Sequence, residues 1–499
     1  MLDEARPYLA GPAPNEGKEM ASVHSCGRRY PRGRRLASVL AAATVGAVMA
    51  ACSGGGAAPT ADPSKNADAK NVELTISSNA IEGGKNAGEA LWFKTFVIPK
   101  FVEAEKAKGV TVNVKFQPSG VDDEQYKAKT SLDLKSKAGA DVLSLDGIWV
   151  GEFAEAGYIL PLDKVVGPSV TAWDGWTQIP QAVQSNASYK DKAYGIPAGT
   201  DGRVLYYNKK LFTQAGLPTD WKPKSWQDIV DAGTKLKSVA GVTPIQINAG
   251  TAMGEATTMQ GALPLLVGTG AQIYQDGKWQ GNTQNIRDVL GFYKKLIDGG
   301  LMDKNYQQAA KGRDESFAAF AAGKIGILGE GDYFWRSVVN PDKGVAPMTN
   351  RDAEVGFTLI PAKAPKAGIR GQDYVSMSGG SGYFLNPNTK YPQQAWDLLT
   401  FMSSPDAIKA LLGGSARITA RKDVNAEVLS KDPVLSVISD KVLPITAYRP
   451  GLAVYPQVSA ALQQATADIV SGKSVDEAAA AYKAAVEKAA GGADKVASS

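Results

Sequence analysis

The chain holds one histidine, His24, and two cysteines, Cys26 and Cys52, all within its first 52 residues. Beyond Cys52 neither residue type occurs, so a histidine triad, a histidine-ligated zinc ion, a thiolate nucleophile and an internal disulfide are excluded downstream. What remains for chemistry is carboxylate, amine, guanidinium, hydroxyl and aromatic groups. Long apolar runs are scarce too: the segment 36–51 falls short of the roughly 20 residues that a membrane-spanning helix needs. Neither sign of charge dominates. The formal net charge is +5, and residues 1–51 carry seven Lys and Arg against four Asp and Glu, so the remainder stands at +2 and calls for no nucleic-acid partner. No internal repeat, Gly-x-Ser-x-Gly elbow or phosphate loop is present. Gly472-Lys473-Ser474 ends like a phosphate loop, but the position five before Gly472 is Ala467, and Ser474 with Glu477 reads as a capping box.

What is present begins with 499 residues at 44% hydrophobic content, enough for two or more domains with cores of their own. Arg28, Arg29, Arg32, Arg34 and Arg35 precede the apolar segment 36–51, the arrangement of a signal peptide covering residues 1–51. It ends Met49-Ala50-Ala51-Cys52, which resembles a bacterial lipobox with Met49 where Leu is usual. That resemblance implies that Cys52 is acylated and becomes the first residue of the mature chain; an uncleaved signal anchor is the alternative. Residues 52–71, opening Ser53-Gly54-Gly55-Gly56, read as a flexible tether. The start at Met1 or Met20 and the choice of Sec or Tat export stay open.

Residues 72–76 read as a strand whose carboxyl end carries Asn79 and Glu82 in a polar loop, the end where ligands sit in open α/β folds. A helix near 92–106 and a strand at 110–116 continue a βαβ beginning. Residues 142–145 form a buried strand that delivers Asp146 and Trp149, though Asp146 can equally be a helix cap and Trp149 core packing. The stretch 194–216 is the organising one. Gly199 and Gly202 flank Asp201, where a backbone without Cβ is free to hinge; residues 204–207 suit a strand, and Asn208 caps the helix after it. Residues 245–248 read as a strand, followed by a loop, 249–255, that ends at the candidate Glu255. At 317–335 a helix closes at Gly323, a strand follows, and a Gly-rich turn presents Tyr333 and Trp335, which can also simply pack a helix N-terminus.

Together, Tyr194-Gly195-Ile196-Pro197 with Leu205-Tyr206-Tyr207-Asn208, the stretch 141–163 and the stretch 317–335 resemble family 1 extracellular solute-binding proteins. These are the maltose-binding type that serves ABC importers. The resemblance covers roughly residues 72–490. It implies an α/β, two-lobed periplasmic-binding-protein fold (type II-like) with discontinuous lobes and three hinge crossings: lobe 1 from 72–199 and 360–416, lobe 2 from 200–359 and 417–499. Residues 355–361 would make the second crossing and 417–423 the third. The implied function is capture of a carbohydrate between the lobes and delivery to ABC permease subunits, by a monomer on the extracellular face of the cytoplasmic membrane. It would touch the membrane only through its lipid anchor, with no cofactor, no metal and no covalent chemistry. The implied ligand-binding residues are Asn79, Glu82, Asp146, Trp149, Asp201, Tyr333, Trp335, Gly380 and Arg449, with Gly199 and Gly202 as hinge. A surface-anchored glycosidase using Asp146 and Asp201, which needs carboxylates about 5 to 9 Å apart, and a ligand-presenting sensor are the other functions left open.

Overall fold

In the strand Asn71–Ser78, Val72, Leu74 and Ile76 are buried while Asn71 and Glu73 are exposed, the alternation that a half-covered strand requires. It pairs in parallel with Thr111–Pro118 on one side and Val142–Asp146 on the other. Ser381–Leu385 then adds antiparallel to Val142–Asp146, and Gly195–Pro197 adds antiparallel to Ser381–Leu385, completing a five-stranded sheet. The three parallel strands end on one edge, which places Ser78, Asn79 and Asp146 side by side. The computed structural model describes residues 61–83, 86–121, 123–342 and 344–498; the expected signal segment 1–51 and Cys52 lie outside them. Among the described residues no helix is long and apolar enough to cross a membrane.

A second sheet is built on Arg203–Asn208, buried throughout. Leu205 and Tyr207 face one core, shared with Ile245, Trp226 and Leu462, whereas Val204 and Tyr206 join the apolar cluster that also holds Val72 and Ile196. Such a doubly covered strand favours the β-branched and aromatic residues found there. Val355–Thr358 and Ile325–Gly331 flank it antiparallel, and Thr243–Gln246 adds parallel to Ile325–Gly331. The helices Trp226–Leu236, Gln284–Asp298 and Tyr455–Val470 supply the first of these cores, with the Trp226 and Phe292 rings 4.8 Å apart.

The chain changes sheets between Gly195–Pro197 and Arg203–Asn208, again between Tyr374–Ser378 and Ser381–Leu385, and passes the first crossing at Thr419, which bridges Gly199. Two expectations differ here. Residues 360–378, expected with the first lobe, pack with the second: Tyr374–Ser378 pairs with Ile360–Pro361 and Thr446–Tyr448, and Val375, Met377 and Ala447 enter the core around Leu205. The second change of sheet therefore falls at Gly379-Gly380 rather than within 355–361. The described part of the expected flexible tether is docked. Asn66 Nδ2 donates to Lys390 O at 2.9 Å, Gln393 Nε2 to Pro63 O at 2.9 Å, and Gln394 Nε2 to Asn66 O and Ala67 O at 3.0 and 2.9 Å.

Candidate functional site

A cavity of about 630 Å³ lies at the carboxyl edge of the first sheet, a size usual for small-molecule sites. Asn79, Tyr126, Asp146 and Trp149 form one wall, the crossings contribute Gly199, Asp201 and Gly380, and Arg336, Arg417 and Thr419 close the remainder. Among the described residues no cluster of three or more His, Cys, Asp or Glu could hold a metal ion.

Asn79 reaches the wall because the strand ends at Ser78. Its Nδ2 donates to Val121 O at 3.0 Å and Asp123 Oδ1 at 3.1 Å, which aims its Oδ1, a buried acceptor, at no partner. Asp146 fills both roles considered for it. Its Oδ1 accepts from Ile148 N at 3.0 Å, capping the turn Gly147–Trp149, and its carboxylate lines the cavity. Burial raises its pKa, an effect that Arg449 partly offsets. That turn then swings Trp149 into the wall, 6% exposed and 6.4 Å from the Tyr126 ring, so it packs the core with most of its surface and shows the cavity the rest. Asp201 accepts from Arg203 Nη1 and from Gly379 N, the latter at 2.7 Å.

Gly380 has φ +152°, and a Cβ there would lie 2.2 Å from Gly199 O. Only glycine fits this close approach of two crossings. Neither Gly199 nor Gly202, the expected hinge glycines, has a positive φ. A Cβ on Gly199 would meet nothing within 4 Å, while Gly202 is constrained by packing: its Cβ would lie 2.5 Å from Ile438 Cγ2.

Four expected ligand residues stand outside the cavity lining. Glu82 is half exposed and pairs with Lys94 at 2.6 Å. Tyr333 is 41% exposed, with the Arg336 guanidinium 5.5 Å from its ring. Trp335 is a correction: it is 2% exposed, its Nε1 donates to Asp432 at 3.0 Å, and the Arg351 guanidinium covers its ring at 3.7 Å. The strand Ile325–Gly331 runs on into a helical turn, Phe334–Val338, and that turn rotates Trp335 into the core. Arg449 bridges Glu255 at 3.2 Å and Asp146 at 3.8 Å instead of facing the cavity. Glu255 also accepts from Tyr455 Oη at 2.6 Å and from Ser459 Oγ.

Sequence reasoning missed several lining residues. Glu89 accepts from Ser78 Oγ at 3.0 Å and Tyr383 Oη at 2.8 Å, and burial pushes its carboxyl up. Tyr126 is pushed up to about 12 by burial. Arg336 donates through Nε to Asp332 Oδ2 at 2.8 Å. Its position directly after Trp335 was the one available signal, since a helical turn carries successive residues to different faces.

A sequence model of the bacterial extracellular solute-binding protein family matches residues 86–409. An ABC transporter extracellular-binding protein of Pyrococcus horikoshii is 24% identical over 473 residues, covering 90% of this chain and 95% of that protein. A binding protein of Brucella abortus is 25% identical over 342 residues, covering 68% and 74%. The sugar-binding protein MalE from Xanthomonas citri shares the fold with a TM-score of 0.66 at 17% identity, covering 84% of this chain and 97% of that one. The cyclic alpha-maltosyl-1,6-maltose binding protein from Arthrobacter globiformis does so at 0.65 and 21% identity, covering 84% and 99%. The two-lobed α/β architecture is thus that of periplasmic-type binding proteins. With the family match spanning well over half its length, the chain belongs to the bacterial extracellular solute-binding proteins.

Proposed function

We propose that the protein captures a carbohydrate in the cavity and delivers it to the permease subunits of an ABC importer. The observation that carries this reading is the wall itself: Trp149 beside the carboxylates of Asp146 and Glu89 and the amide of Asn79. A sugar ring offers the matching pair of surfaces, an apolar C–H face for the indole and a rim of hydroxyl donors for the acceptors. Two of the fold neighbours are described as sugar- and maltosyl-maltose-binding proteins, and the Pyrococcus relative as part of an ABC transporter.

In this reading the first lobe holds 72–199 and 381–416, the second begins at Asp201 and takes 417–499 as well, and closure of the pair around the sugar is what the permease detects. The protein works as a monomer, tethered by acylation of Cys52, and no covalent step is involved. A glycan panel screened by thermal shift tests the ligand class: stabilisation by a carbohydrate supports it, and turnover of a labelled oligosaccharide would make the protein a glycosidase instead. For the anchor, Cys52→Ser should leave the membrane fraction, because an acyl chain contributes about 0.8 kcal/mol per buried CH₂. Unchanged retention would point to an uncleaved signal anchor.

A further inference from the structure

Gly151 and Gly451 meet where the lobes touch. Gly151 lies in the short helix Val150–Glu155, which continues the turn carrying Trp149 off the first sheet. Gly451 lies between the strand Thr446–Tyr448 and the helix Tyr455–Val470, whose Tyr455, Val458 and Leu462 share a core with Leu205 and Ile245 of the second lobe. A Cβ on Gly151 would stand 1.9 Å from Gly451 O, and a Cβ on Gly451 would stand 2.9 Å from Gly151 N and 3.2 Å from Gly147 O. Neither residue has a positive φ and neither lines the cavity. Glycine is a poor helix former, and the backbone-to-backbone approach of the opposite lobe is the reason a Cβ has no room at 151. Two residues before Gly451, Arg449 is fixed to its own lobe by Glu255 at 3.2 Å and reaches across to Asp146 at 3.8 Å, with only 12% of its side chain exposed.

We propose that residues 449–451 form a clasp and that Gly151 and Gly451 are positioning residues that set how closely the lobes approach. The clasp closes on the turn 146–151 that carries Asp146 and Trp149, so closure is coupled to the cavity wall without the clasp touching the ligand. A methyl group at 151 wedges the lobes apart and leaves the wall residues in place. The consequence for affinity rests on the carbohydrate reading above; the consequence for lobe separation does not.

The absence of cysteine after Cys52 gives a clean test. In protein carrying both Cys26→Ser and Cys52→Ser, spin labels on cysteines at the exposed positions Lys106 and Lys235, one on each lobe, report the separation by pulsed electron resonance. The unliganded parent should populate the separation of the present structure. Gly151→Ala should lose that population in favour of a longer one, and Gly451→Ala should shift the same way by less. Melting temperature should not fall in Gly151→Ala, because alanine is the better helix former, whereas a residue needed only for packing would lower it. With maltotriose as probe, Gly151→Ala should bind at least tenfold more weakly than the parent. A parent that never shows the short separation, or variants that both keep it, would overturn the clasp. A parent that shows it yet binds no sugar would leave the clasp standing and remove the carbohydrate reading.

Discussion

The carboxylate of Asp201 accepts a hydrogen bond from the backbone N–H of Gly379 at 2.7 Å, so the first crossing between the lobes is tied to the second. The same oxygen takes Arg203 Nη1, and Ser378 Oγ donates to the Asp201 carbonyl. Three hydrogen bonds thus converge where the chain passes between sheets.

Asp201→Asn retains an acceptor but loses the charge, whereas Asp201→Ala leaves the Gly379 N–H and the Arg203 guanidinium short of a partner. Each buried group so abandoned costs about 1–3 kcal/mol. Stability by chemical denaturation and sugar affinity should both fall in the order wild type, Asn, Ala. Equal stability of the alanine variant would remove the tie from the account.

Trp335 is a core residue, and its replacement should show as a loss of stability. Trp335→Ala empties a fully packed site and removes the indole donor from Asp432, which keeps Val434 N and Leu435 N, so a loss of about 3–5 kcal/mol is expected by urea unfolding. Trp335→Phe, which keeps most of the ring, should restore ligand affinity to the wild-type level. A large affinity loss in the phenylalanine variant at unchanged stability would return Trp335 to the cleft.

Glu89 supplies a pH signature. Burial raises its folded-state pKa above the unfolded value, against the opposing donors Tyr383 and Ser78. The folded protein then binds the proton more tightly, so stability from this group is full at low pH and is lost as pH rises through the folded pKa. Glu89→Gln, which keeps an acceptor for both donors, should be more stable than wild type at pH 7. That advantage should vanish near the ordinary glutamate value of 4.5. Melting curves of both proteins across that interval decide it, and a difference independent of pH would contradict the assignment.

Much of the architecture was legible because its determinants are local. Asn208 Oδ1 accepts from Lys210 N and Leu211 N, and Ser225 with Asp228 and Ser474 with Glu477 form capping boxes, all from residues within three positions. Cavity-lining residues at strand ends were legible for the same reason: Asn79, Asp146 and Trp149 follow directly from where a buried strand stops. Trp335 was not, because a helical turn separates faces by one residue and no pattern in the sequence fixes its phase. Nor were longer-range contacts. Tyr374–Ser378 finds Thr446–Tyr448 only in three dimensions, Asn66 is held by Lys390 from 324 residues away, and Arg449 reads as a ligand donor until Glu255 is seen beside it.

Calorimetric titration of the Cys52→Ser protein with the best glycan from a panel measures whether a sugar lies against Trp149. Wild-type binding should be saturable, one sugar per chain. Trp149→Ala should bind at least tenfold more weakly, about 1.4 kcal/mol, while Tyr333→Ala, outside the cavity lining, stays near wild type. Undiminished affinity in folded Trp149→Ala, or no heat from any sugar with wild type, would rule out a sugar held against this indole.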